Sequence, residues 1–83
     1  LIVDDHPIIR HGLRVVINLD ENLEVVGEAE NGEIALQKIS SLSPDIIVLD
    51  INMAGLDGLE TAKIINVDYP QVKIVFLSMH SQV

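Results

Sequence analysis

Two adjacent carboxylates, Asp4 and Asp5, follow the apolar residues that open the sequence (LIVDDHP), and a third, Asp50, closes the apolar run in DIIVLD. A hydroxyl, Ser78, closes another such run, KIVFLS. A single aspartate after a strand ordinarily serves a turn or caps a helix. Three carboxylates within ~5 Å of one another behave differently: they repel, and at least one keeps its proton unless a cation lies among them. Donors that are all oxygen favour Mg2+ or Mn2+ over zinc, and Mg2+ takes one or two carboxylates with water and phosphate oxygens completing its shell. The chemistry open to these residues together is that of a hard-cation site.

Such a site forms only if the apolar runs are neighbouring strands that end on one edge of a sheet. The sequence alternates in the required way. After the first short run, Pro7 suits the first turn of a helix, and Ile9, Leu13, Val16 and Ile17 follow at helical spacing up to NLDEN. LEVVGEAE alternates, with Leu23, Val25, Gly27 and Ala29 on one face and Glu24, Glu28 and Glu30 mostly on the other. This predicts a strand with one wet face at the periphery of the sheet. Asn31-Gly32 is a turn and a cap, and Ala35, Leu36, Ile39 and Leu42 trace a second helix that SLSP breaks. DIIVLD reads as a strand buried on both faces, and INMAGLDG as a loop. Asp57 caps a third helix, LETAKIINVDY, which Pro70 stops, and VKIVFLS is the fourth strand. The order β-α-β-α-β-α-β predicts an α/β fold with a parallel sheet and right-handed crossovers. In such a sheet ligands bind beyond the carboxyl ends of the strands at the topological switch point, where strands one, three and four deliver Asp4, Asp5, Asp50 and Ser78. His6 and His80 are expected as exposed loop residues and His11 on the solvent face of the first helix, with Met53 and Met79 in packing roles.

Eighty-three residues make one small domain, rich in Leu, Ile and Val and poor in aromatics, so disorder is not expected. No apolar run approaches the ~18 residues of a membrane span, and no basic-then-apolar leader is present. The absence of cysteine excludes disulfides and thiolate zinc sites and suits a reducing, cytoplasmic setting. A net charge of −8 repels nucleic-acid phosphates and favours a cation or a basic partner.

Four collinear blocks, VDDHPIIRHGL, VVGEAENGEIAL, PDIIVLDINMAGLDGLE and KIVFLSMHS, resemble the receiver domain of bacterial two-component response regulators of the NarL/FixJ class, whose proteins carry a LuxR-type tail. The resemblance covers essentially the whole chain, residues 1–83. It implies a flavodoxin-like doubly wound sheet of strand order 2-1-3-4-5. It further implies that Asp50 is the phosphoacceptor for a sensor histidine kinase, with Mg2+ held by Asp5, Asp50 and the backbone carbonyl of Asn52, and by Asp4 through water. Ser78 would be the switch hydroxyl that meets the phosphoryl group. Such a domain is a signalling phosphoacceptor with no external substrate to turn over. The family usually has proline where Ala54 stands. It also has a lysine-bearing fifth strand, a fifth helix and a helix-turn-helix DNA-binding domain that do not fall within these residues. The sequence, which begins with Leu, therefore reads as a trimmed, C-terminally incomplete receiver domain.

Two other readings share some of these features. A phosphatase of the haloacid-dehalogenase type also uses an aspartyl phosphate and Mg2+, but wants an acid two residues after the nucleophile, where Asn52 stands. A receiver-like interaction module that is never phosphorylated would typically have lost members of the acidic pocket. The fourth strand, with Lys73 as its main charge, reads as an open sheet edge, which leads to an expectation of self-association, as a homodimer, through that strand.

Overall fold

The computed structural model describes residues 1–53 and 57–77. Four parallel strands, β1 (Ile2–Val3), β2 (Glu28–Ala29), β3 (Ile46–Asp50) and β4 (Lys73–Leu77), form one sheet in the order β2-β1-β3-β4. Helices α1 (Pro7–Asn18), α2 (Gly32–Leu42) and α3 (Gly58–Asp68) connect them. The expected alternation and the 2-1-3-4 strand order are both present.

The helix boundaries follow from local chemistry. Pro7 opens α1, where its missing N–H leaves no bond unmade, and it holds His6 in the extended conformation (φ −101°, ψ 111°) that a residue before proline prefers. Asn31 caps α2 by accepting the Ile34 N–H at 2.8 Å, and Asp57 caps α3 by accepting the Glu60 N–H at 2.8 Å. Helix α2 ends as Ser43 turns into the left-handed region (φ 49°) and its N–H bonds the Ile39 carbonyl.

Register brings the strand ends together. Val3 lies opposite both Ala29 and Leu49, and Leu49 lies opposite Phe76. The residues after Val3 therefore emerge beside Asp50. The main core lies where Val3, Ile47 and Leu49 meet Ala35 and Ile39 of α2 and Ala62 and Ile65 of α3, with Met53 and Val72 closing it.

Three sequence expectations are corrected. The strand predicted over residues 23–30 is paired only at Glu28–Ala29, because only residues opposite Ile2 and Val3 have a neighbouring strand to bond; Leu23 and Val26 are exposed. Strand β3 is not buried on both faces. Ile47 and Leu49 are fully covered, but Ile46 is 38% exposed, and Val48 lines an open apolar groove of about 470 Å3 with Ile17, Leu23, Val25 and Val75. Helix α1 covers only part of this face: Leu13 and Ile17 are half-buried, Val16 is 64% exposed, and no α1 residue is fully buried. On β4, Val75 and Phe76 are likewise about half exposed.

Candidate metal centre

Chain geometry places the acidic residues before any specific contact is considered. Strand β1 runs into Asp4, whose N–H continues the ladder by donating to the Ala29 carbonyl at 3.1 Å. Asp50 is the last residue of β3, next to β1. Adjacent strands lie about 4.8 Å apart, so carboxylates at the ends of both must share one small space. Donor atoms of Asp4, Asp5, His6 and Asp50 all lie within 4.8 Å of one another. Asp4 and Asp50 are 0% and 1% exposed, whereas Asp5 opens to solvent.

Each buried carboxylate has one oxygen satisfied and one orphaned. Asp4 Oδ1 accepts the His6 backbone N–H at 2.8 Å, and Asp50 Oδ1 accepts the Asn52 backbone N–H at 3.0 Å. Asp4 Oδ2 and Asp50 Oδ2 are buried without a hydrogen-bond partner. A buried, unpaired carboxylate oxygen is costly enough to require an explanation. The nearby basic side chains do not supply one, since they converge on Glu28 instead. Arg10 Nε and Arg14 Nε each lie 3.2 Å from a Glu28 carboxylate oxygen, and Lys38 Nζ donates to the Glu28 carbonyl. Arg10 Nη1 also donates to the Asp4 backbone carbonyl at 2.6 Å, so this cluster braces the backbone behind the pocket without neutralising it.

The electrostatic consequence falls on Asp50. Burial pushes its pKa up, the Asn52 N–H opposes that rise, and the charges of Asp4 and Asp5 add to it. A divalent cation would relieve both the repulsion and the orphaned oxygens, so the donor set fits a hard ion such as Mg2+.

Of the sequence-predicted residues, Asp4, Asp5 and Asp50 are brought together, and Asn52 adjoins them through its N–H. Ser78, along with Ala54, Met79 and His80, lies outside the described residues. His11 is exposed on α1 and Met53 is packed in the core, as expected.

Three residues of the site were not singled out from the sequence. His6 is exposed, with 57% of its side chain open, yet its Nδ1 lies 2.8 Å from Asp4 Oδ1 and 2.9 Å from Asp5 Oδ1. The hydrogen bond with Asp4, followed by the charge of Asp5, raises its pKa. Its place between an acidic pair and a helix-starting proline was the available signal. Arg10 gave no such signal, because its partner Glu28 is eighteen residues away. Gly58 is the third. A Cβ there would lie 2.1 Å from the Asp50 carbonyl oxygen and 2.7 Å from Ile51 Cα, so α3 can start against the acceptor strand only with glycine at this position.

Comparison with known proteins agrees with this architecture. The family model of the response regulator receiver domain matches residues 1–83. The nitrate/nitrite response regulator protein NarL of Escherichia coli strain K12 is 49% identical over 61 residues, covering 74% of this chain and 28% of that protein. A nitrate/nitrite response regulator homolog of Haemophilus influenzae is 38% identical over 79 residues, covering 95% of this chain and 38% of that protein. Among solved structures, RcsB from Salmonella enterica serovar Typhimurium, bound to promoter rprA with the phosphomimetic BeF3-, matches with a TM-score of 0.89 at 31% identity. That match covers 98% of this chain and 68% of the RcsB chain. The chain thus spans well under half the length of the two curated relatives.

Proposed function

The chain belongs to the response regulator receiver domain family, and from that premise we propose that Asp50 accepts a phosphoryl group from a sensor histidine kinase in a Mg2+-dependent reaction. An Asp50 carboxylate oxygen attacks the phosphorus of a phosphohistidine. The P–N bond breaks, the imidazole leaves with its electron pair and takes up a proton, and an aspartyl phosphate remains. The product is a signal, not a released metabolite. When bound, Mg2+, or Mn2+ in its place, supplies positive charge to the carboxylate and phosphoryl oxygens. Asp5 and Asp50 would hold it directly, with the Asn52 carbonyl, and Asp4 would act through water. Ser78 would donate to the phosphoryl group and report its presence to the rest of the protein.

The observation that carries this reading is the orphaned Oδ2 of Asp50, buried beside an equally orphaned Asp4 Oδ2 at the sheet's switch point. Family membership supports a kinase partner and a role in two-component signalling. The promoter-bound, BeF3--treated RcsB supports a DNA-binding output, supplied by a part of the protein outside residues 1–83, and dimerisation as the coupling step. No helix among the described residues is long and apolar enough to cross a membrane, which suits a cytoplasmic regulator.

Incubating the full-length protein with a small phosphodonor and Mg2+ tests the assignment. One base-labile phosphoryl group is expected, absent in Asp50→Asn, and Asp5→Ala should remove the dependence on Mg2+. In Ser78→Ala the group should still be accepted without switching the output. Modification that persists on a histidine in Asp50→Asn would refute the acceptor assignment.

A further inference from the structure

The cation pocket differs from an all-oxygen site in having an imidazole at its mouth. We propose that His6 Nδ1 is a nitrogen donor to the bound ion and biases the pocket toward first-row transition ions, Mn2+ and Co2+, relative to Mg2+. This inference rests on the cation site proposed above and extends it to a residue that sets ion preference.

Geometry is the first support. Two donors that are cis on an octahedral ion with bonds near 2.1 Å stand about 3.0 Å apart, the length of an octahedron edge. His6 Nδ1 is 2.8 Å from Asp4 Oδ1 and 2.9 Å from Asp5 Oδ1, so the nitrogen already lies one edge from each carboxylate. An ion shared with Asp50 would replace these contacts with bonds to a common centre and need only small side-chain movements. The second support is anchoring. The His6 backbone is fixed on both sides, by its N–H to Asp4 Oδ1 and by the extended conformation before Pro7. The ring is therefore held at the pocket although its outer edge is solvated. The third is that the pocket is built independently of His6: the unpartnered, fully buried oxygens of Asp4 and Asp50 form its floor. Imidazole nitrogen suits transition ions along the rising affinity order from Mn2+ to Co2+, whereas Mg2+ binds through oxygen and sheds water reluctantly.

Two measurements on the purified protein test the proposal. Pulsed electron paramagnetic resonance of the Mn2+-loaded wild type should show nitrogen modulation from a directly bound imidazole, and His6→Ala should lose it. Calorimetric titrations should show Co2+ affinity falling by about tenfold or more in His6→Ala, with Mg2+ affinity changed by less than about twofold. A wild-type Mn2+ complex without nitrogen modulation overturns the role of His6 whatever the variant does. Equal losses for Mg2+ and Co2+ overturn it too, because they would mark His6 as a strut for the carboxylates. Either result leaves the oxygen site standing. If the wild type binds none of the three ions at millimolar concentration, the cation site itself falls and His6 with it.

Discussion

Gly58→Ala sets two effects of opposite sign against each other. Helix propensity alone favours alanine over glycine by up to ~1 kcal/mol, so an exposed helical glycine should gain stability on substitution. Gly58 is the first residue of α3, but its added Cβ would fall 2.1 Å from the Asp50 carbonyl oxygen, 2.7 Å from Ile51 Cα and 2.9 Å from the Asp50 carbonyl carbon. All three are backbone atoms and cannot rotate away. Restoring ordinary contact requires separating the start of α3 from the end of β3 by more than 1 Å, which breaks or strains the 3.2 Å bond from the Gly58 N–H to the Ile51 carbonyl. Overpacking of this kind costs about 2–3 kcal/mol, leaving a net loss of about 1–2 kcal/mol and a fall in Tm of roughly 5–15 °C for a domain of this size. The same displacement moves Asp50, and a misplacement of about 1 Å at a reacting group can slow reaction by ~100-fold. Gly12→Ala is the internal control. Gly12 lies within α1 and nothing stands within 4 Å of its added Cβ, so the identical substitution should raise Tm by a few degrees. Thermal melts of both variants, with the initial rate of phosphorylation from a small phosphodonor, make the comparison. If Gly58→Ala raised Tm alongside Gly12→Ala and kept the wild-type rate, the close approach of α3 to the acceptor strand would be refuted.

Asp50→Asn should raise the metal-free Tm at neutral pH. Burial raises the Asp50 pKa in the fold, so the folded state holds this proton more tightly than the unfolded chain does, and stability falls as pH climbs from the unfolded value through the raised folded one. The advantage of Asn should therefore shrink as pH drops toward 4, and melts of both proteins across pH 4–7.5 without divalent ions would show it. Adding Mg2+ should then stabilise the wild type by about 2–3 kcal/mol at a hundredfold excess over Kd, and Asp50→Asn by less. Arg10→Ala should lower stability by about 1–2 kcal/mol, because it removes charge-assisted bonds to the Asp4 carbonyl and to Glu28. Arg10→Lys should recover only part of the loss in the same melts, since an ammonium cannot reproduce the guanidinium fork.

The sequence by itself determined whatever depends on near neighbours along the chain. Apolar periodicity marked the strands and helices in their correct order, Pro7 marked the start of α1, and Asn31 and Asp57 were legible as caps because a cap bonds a backbone N–H three residues away. The acidic residues could be paired as a site because a general rule places ligands at the carboxyl ends of parallel strands, and Asp4, Asp5 and Asp50 each follow or end such a strand. Tertiary structure decided what depends on which strand lies beside which, and at what register. Pairing limited to Ile2 and Val3 cut the alternating segment from residue 23 to 30 down to Glu28–Ala29. Partial cover by α1 left one face of β3 half open, a degree of burial that an unbroken apolar run does not encode. Gly58 looked like an ordinary loop glycine until α3 was seated against the Asp50 carbonyl. The turn of the His6 ring back onto both carboxylates was equally out of reach, because a side chain's partners are fixed by packing and charge in three dimensions. Local spacing can place a residue on an edge, but it cannot say what that residue touches there.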